Sequence, residues 1–225
     1  MTNNNIILII RGHIRNSFNN QKLYDLLKKI SENYNLSIYI HTWNIQQSNI
    51  SWREIKQINN IITKEIIYEY FKDLNIFIKY IIIDDDTQIK LIGNLEGTIG
   101  PKCPKIGWKR YIYGLYKITN YVKNYYSNEF IANMRFDILE NSNSITEHQI
   151  LLLINNNHIY NNEFTKVIFL YNNLYYGLDN IFCGNIKVLY KLLKYFNENL
   201  DYIISRNKQI ISQEFLLFIE NELIF

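Results

Sequence analysis

The sequence predicts a single α/β domain of 225 residues, with a mostly parallel central sheet flanked by helices. Two observations carry this. The chain opens on an unbroken β-branched run, IILII at 6–10, of the kind buried on both faces in a parallel sheet. A helix-spaced stretch at 20–34 and a second apolar run, LSIYIHTW at 36–43, complete a strand–helix–strand unit. Such crossovers are right-handed almost without exception, so the two strands pair in parallel.

Along the chain, Leu23, Leu26, Leu27, Ile30 and Tyr34 recur at helical spacing, with Lys and Glu opposite. Residues 51–75 are mixed and give a helix only over 63–74. The run 76–86, IFIKYIIIDDD, predicts a third strand that ends in three aspartates. Residues 93–108 hold four of the eight glycines and both prolines, which predicts a loop. A helix follows at 108–126, then a strand at 130–138 (FIANMRFDI) and an Asn-rich stretch without clear periodicity. Strands at 166–172 and 174–184 and helices at 186–200 and 212–224 finish the chain. No internal repeat or linker divides it.

Composition excludes several classes. A 48% hydrophobic content with 15% aromatics is incompatible with disorder. Ile and Asn are abundant and Ala132 is the only alanine, a skew of AT-rich coding that leaves Asn-rich stretches uninformative. A net charge of +3 is too small to argue for nucleic acid as a partner. Cys103 and Cys183 have no zinc spacing, so free thiols in a reducing compartment are expected. The apolar run from Ile6 is too short for a signal-peptide core, and no stretch reaches the length of a membrane span. A soluble, cytoplasmic protein is expected.

In an open parallel sheet, ligands sit outside the carboxyl ends of the strands. Here those ends carry Arg11-Gly12-His13-Ile14-Arg15, then His41-Thr42-Trp43, then Asp84, Asp85 and Asp86, then Arg135 and Asp137. Arg11 and Arg15 can grip phosphate, and Gly12 allows close backbone approach. The dinucleotide and P-loop signatures are absent. His13 and His41 suit structural roles as well as a site. The aspartate run suits a cation, a ribose or a solvated turn. Alternation puts Arg135 and Asp137 on one face, as a local ion pair or as metal and phosphate ligands. Lys102, Lys105, Lys109 and Arg110 form either a solvated face or an electropositive lip. Trp43, Trp52 and Trp108 can stack on a ring or pack in the core. Asp179 follows a glycine turn, and Glu214 opens the last helix, where it also suits the helix dipole.

The order RGHIR–SF, IHTW, GWKRYIYGLY, NMRFDIL, GLDNIFCGN and QEFLLF resembles GT-A-type glycosyltransferases of bacterial surface-polysaccharide clusters and giant DNA viruses. The resemblance spans most of the chain through short motifs. It implies a single GT-A-like domain, with a Rossmann-like nucleotide-binding half at 1–92 and a metal and acceptor half at 93–225. It implies a nucleotide-sugar donor held by Arg11, Gly12, His13, Arg15, His41, Trp43, Asp84, Lys109 and Arg135. The RFD stretch matches the family's DxD metal motif only at Asp137, because Arg135 replaces the first aspartate. A cation, Mn²⁺ or Mg²⁺, would be held by Asp137, or Arg135 would partly replace it. Asp179 is the first candidate for catalytic base and Glu214 the second. The implied acceptor is a glycan or glycoprotein, the setting the cytoplasm (the host's, if viral), and a homodimer is compatible with the reading. Two other classes stay open: a non-catalytic sugar-nucleotide-binding or assembly module, and another nucleotide-dependent α/β transferase.

Overall fold

The computed structural model describes residues 5–141, 145–158, 160, 164–170, 178–208 and 214–225. Strand β1 (Asn5–Arg11), helix α1 (Lys22–Asn33) and strand β2 (Asn35–Trp43) form the opening crossover, and β1 pairs with β2 in parallel. Strands β3 (Ile45–Gln47) and β4 (Ile58–Ile61) make a small antiparallel hairpin. Helix α2 (Lys64–Phe71) starts at Thr63, whose side chain accepts from the Ile66 N–H, and a 3-10 turn over Lys72–Phe77 leads into β5 (Ile78–Asp84).

Strands β6 (Thr98–Ile99) and β7 (Cys103–Pro104) form a second short ribbon, and α3 (Lys105–Lys123) follows at once. Then come β8 (Phe130–Arg135), the single turn α4 (Ile138–Asn141), α5 (Glu147–His158), β9 (Ile168–Phe169), β10 (Ile181–Asn185), α6 (Ile186–Arg206) and α7 (Glu214–Ile224). The main sheet runs β5-β2-β1-β8-β10-β9. The first four strands are parallel, while β10 is antiparallel to both β8 and β9. Residues 1–92 and 93–225 therefore contribute three strands each to one sheet.

Helices cover both faces. Ile6, Leu8 and Ile10 of β1 pack with α1, α2 and α5, whereas Ile7 and Ile9 pack with α3, α6 and α7. Both faces of β1 are buried, which is why its sequence shows no alternation.

Several predicted boundaries change. The strand expected over 130–138 stops at Arg135: Phe136 N–H still bonds the Arg11 carbonyl, but the Asp137 carbonyl already accepts from Glu140 N–H and starts α4. The loop expected over 93–108 contains β6, β7 and the first turn of α3. The strand expected over 76–86 begins at Ile78, after the 3-10 turn. The Asn-rich stretch holds α5, whose Ile150, Leu153 and Ile154 face the core. Within the strand expected over 174–184, Leu178–Asn180 form a turn and only Ile181–Asn185 pair, while 174–177 lie outside the described residues. Of the strand expected over 166–172, Ile168–Phe169 pair, and 171–172 lie outside the described residues. Among the described residues, no helix is long and apolar enough to cross a membrane.

Candidate functional site

Alternation decides which polar strand ends meet. Ile7 and Ile9 face α3, so Arg11 does too; Ile131 likewise brings Asn133 and Arg135, Tyr39 brings His41 and Trp43, and Ile82 brings Asp84. In register, His41, Arg11 and Arg135 stand side by side across β2, β1 and β8.

Arg11 is buried and held on several sides. Its Nε donates to Asn133 Oδ1 at 2.8 Å, an Nη donates to the Asp179 carbonyl, and its guanidinium lies 4.3 Å from the centre of the Tyr111 ring. Arg135 grips Asp137 with two bonds of 2.8 Å and donates a third, of 3.1 Å, to Asn180 Oδ1. Arg15 reaches the same carboxylate at 2.7 Å. Burial alone would raise the Asp137 carboxyl, but the two guanidiniums outweigh it and hold the carboxyl down to about 2. The same pairing keeps Arg135 charged against burial.

The loop after β1 delivers Arg15 through an uncommon backbone conformation. Arg15 has φ +54°, fixed by its N–H on the Gln46 carbonyl (3.0 Å) and by Gln46 Nε2 on its own carbonyl (2.7 Å). Gly12 has φ +92°, and an added Cβ would meet no atom within 4 Å. The glycine therefore serves the turn, not close approach to a neighbouring group.

His13 stands beside this cluster. Its Nε2 is buried without a hydrogen-bond partner among the described residues, and its ring lies 5.9 Å from that of Trp43. Burial, then the charges of Arg15 and Arg110, push its pKa down to about 3, so the imidazole is neutral.

Asp179 enters from the opposite chain direction. Because β10 runs antiparallel, the turn that precedes it lies at the same end of the sheet as the carboxyl ends of β1 and β8. Asp179 is buried; its carbonyl accepts from Arg11 and from the Tyr111 hydroxyl (3.4 Å), while its Oδ1 is buried without a partner among the described residues. Glu214 opens α7. The Tyr111 hydroxyl is raised chiefly by burial, and the charges of Asp179 and Glu214 add to that, so both carboxylates act on the same ring.

Other predicted site residues form a separate group or turn away. His41 Nε2 lies 3.1 Å from Asp84 Oδ2, and Lys117 Nζ reaches both oxygens of Asp84 at 2.7 and 2.8 Å and the Tyr113 hydroxyl at 3.1 Å. Burial drives the His41 pKa down. An added Cβ at Gly114 would lie 2.4 Å from His41 Cε1, so α3 carries a notch for this ring and His41 reads as structural. Asp85 closes a local turn with Thr87, and Asp86 pairs with Arg110 at 2.7 Å, so each aspartate of the run has its own partner. Lys109 binds Asp201 of α6 at 2.9 Å and the Ile92 carbonyl, away from the arginine cluster. Trp43 and Trp108 are 3% and 4% exposed and belong to the core.

The donor set does not fit a resident divalent cation at Asp137. Both carboxylate oxygens already bind guanidiniums, and Arg11, Arg15 and Arg135 outnumber the local carboxylates Asp137 and Asp179. A dication would enter against that charge and displace a charge-assisted pair. Among the described residues, no group of three or more His, Cys, Asp or Glu is placed to hold a metal.

Sequence reading missed Asn133, Asn180 and Tyr111 as members of the cluster. Asn133 was legible, two residues before Arg135 on the same face; Tyr111 is brought in by helix packing and leaves no local signal. The fold and site define a class: an α/β protein with an arginine-rich polar cluster at the carboxyl end of its parallel strands. No protein-family model, curated protein or solved structure matches the chain.

Proposed function

We propose that the protein is a glycosyltransferase that moves a sugar from a nucleotide-sugar donor to a glycan or glycoprotein acceptor. One observation carries this reading. Arg11 and Arg135 stand beside a buried carboxylate, Asp179, whose Oδ1 has no partner among the described residues, and Arg15 joins Arg135 on the neighbouring Asp137. Substitution at the donor's anomeric carbon forms a bond to the acceptor oxygen and breaks the bond to the diphosphate, which leaves with the electron pair. Arg15 and Arg135, each about a fifth exposed, stand to take up the charge that develops on that leaving group. Asp179 accepts the acceptor hydroxyl's proton, with Glu214 as the second candidate. In this reading the arginines supply what a divalent cation supplies elsewhere. A cytoplasmic setting goes with the reading, since both thiols are free.

Thermal shift with UDP-, GDP- and dTDP-sugars, with and without Mn²⁺, tests it. Stabilisation by at least one donor without Mn²⁺ is expected; a folded protein that responds to none of them overturns the proposal. The engagement of Asp137 by two arginines favours a second reading, a binding module without transfer. Donor binding with neither transfer nor donor hydrolysis would select that reading.

A further inference from the structure

Of the three tryptophans, Trp52 alone is presented to solvent, 47% exposed against 3% and 4% for Trp43 and Trp108. It sits on the segment between β3 and β4, which is held from several sides. Gln47 Nε2 donates to the Lys56 carbonyl at 2.6 Å, and the Ser48 and Ser51 hydroxyls accept from Ile50 and Arg53 N–H groups at 3.2 Å. Ile50 packs on the start of α3, where a Cβ added to Gly107 would meet Ile50 Cγ2 at 3.2 Å. The Arg53 guanidinium lies 4.6 Å from the Trp52 ring centre, which fixes one side of the indole by cation–π contact. The segment leaves β3, whose Gln46 is bonded to Arg15 in both directions, at 3.0 and 2.7 Å, and the charge of Arg53 acts on the Arg15 guanidinium. An exposed aromatic, braced by a cation, thus stands on the rim of the arginine cluster.

We infer that Trp52, braced by Arg53, is a stacking platform for the base of a nucleoside diphosphate whose phosphates lie toward Arg15 and Arg135. The inference rests on the donor reading above and names the residue that grips the far end of that donor. Charge complementarity selects the ligand. A flat ring that settles beside Arg53 and Arg15 is favoured when it carries phosphates, and a nucleoside diphosphate joins both features in one molecule. A neutral saccharide offers the ring without the charge.

Acrylamide quenching under tryptophan-selective excitation gives the readout, because the two core indoles are shielded. UDP or GDP is expected to protect the Trp52 signal, whereas inorganic pyrophosphate and methyl glucoside are not. Trp52→Ala should weaken nucleoside diphosphate binding about tenfold or more and leave pyrophosphate binding unchanged; Trp52→Phe should keep most of the affinity. Since the side chain is largely exposed, these variants are expected to fold, and an unchanged melting temperature checks that. Wild-type affinity for UDP and GDP in Trp52→Ala would overturn the platform while the donor reading stands. Protection by methyl glucoside alone would also overturn it, in favour of an acceptor subsite. If the wild-type protein binds no nucleoside diphosphate, both readings fall together.

Discussion

His41 and Gly114 show how one missing methyl group sets how closely α3 packs on β2. The imidazole fills the space that a helical side chain would take. Gly114→Ala is expected to destabilise the protein by about 1–3 kcal/mol through overpacking, measured as a lower denaturant midpoint. In a His41→Ala background the same change should cost far less, and an equal cost in both backgrounds would sink the notch argument. Asp137 is the second residue of this kind. Asp137→Ala leaves two guanidiniums facing each other and is expected to cost about 2–4 kcal/mol, read by the same measurement. Asp179→Asn tests chemistry instead of stability. Transfer should fall by at least a hundredfold with donor affinity retained; unchanged transfer would remove Asp179 as the base. Arg135, Asp137 and Asp179 were legible in the sequence as polar groups at strand ends. Their partners were not, because Arg15–Asp137 and Arg11–Asp179 join residues 122 and 168 positions apart.

Among the elements, α7 is tied to α6 by a buried polar clamp. Arg206 donates to Glu220, a wholly buried carboxylate that also accepts from Asn207 at 3.2 Å. Arg206→Ala should destabilise by about 2 kcal/mol, less than a fully buried pair would lose because Arg206 is partly exposed. Faster amide exchange across α7 than across β1 would localise the effect; uniform exchange would contradict it. The elements most legible in the sequence were the unbroken apolar runs β1 and β2 and the evenly spaced helices α1, α3 and α6, the last of which continues past its expected end at 200 to Arg206. Helix α5 was missed because Asn155, Asn156 and Asn157 follow its apolar positions and mimic a loop. The strands expected around β9 and β10 began too early, since Val167 and Leu178 are buried in the core without joining the ladder.

At the scale of the whole molecule, acid should weaken this protein over two successive pH ranges. The folded-state pKa of His13 is lowered from 6.5 to about 3, so the unfolded chain takes up a proton that the folded one refuses. That contribution to stability is complete above about pH 6.5 and lost as pH falls toward 3. His41 acts in the same direction. Asp137, lowered from 3.8 to about 2, adds stability that is present above about pH 4 and lost as pH falls through 2. His13→Gln should therefore flatten the decline between pH 6 and 4 and leave the steeper loss below it. Chemical denaturation across that range checks the sign, and stability that rises on acidification would refute it. The parallel half of the sheet was legible from its crossover pattern. The placement of β8 beside β1 was not, because no local residue pattern encodes a neighbour so distant along the chain.

The reversal of β10 also has a consequence in time. A chain emerging from the ribosome can lay down β1, β2, β5 and β8 early, yet Arg11 must wait for residues near 179 before its carbonyl partner exists. Until then a guanidinium destined for the interior has Asn133 and the Tyr111 ring but lacks its backbone acceptor. Nascent molecules shorter than that would hold the four parallel strands with the arginine cluster still incomplete.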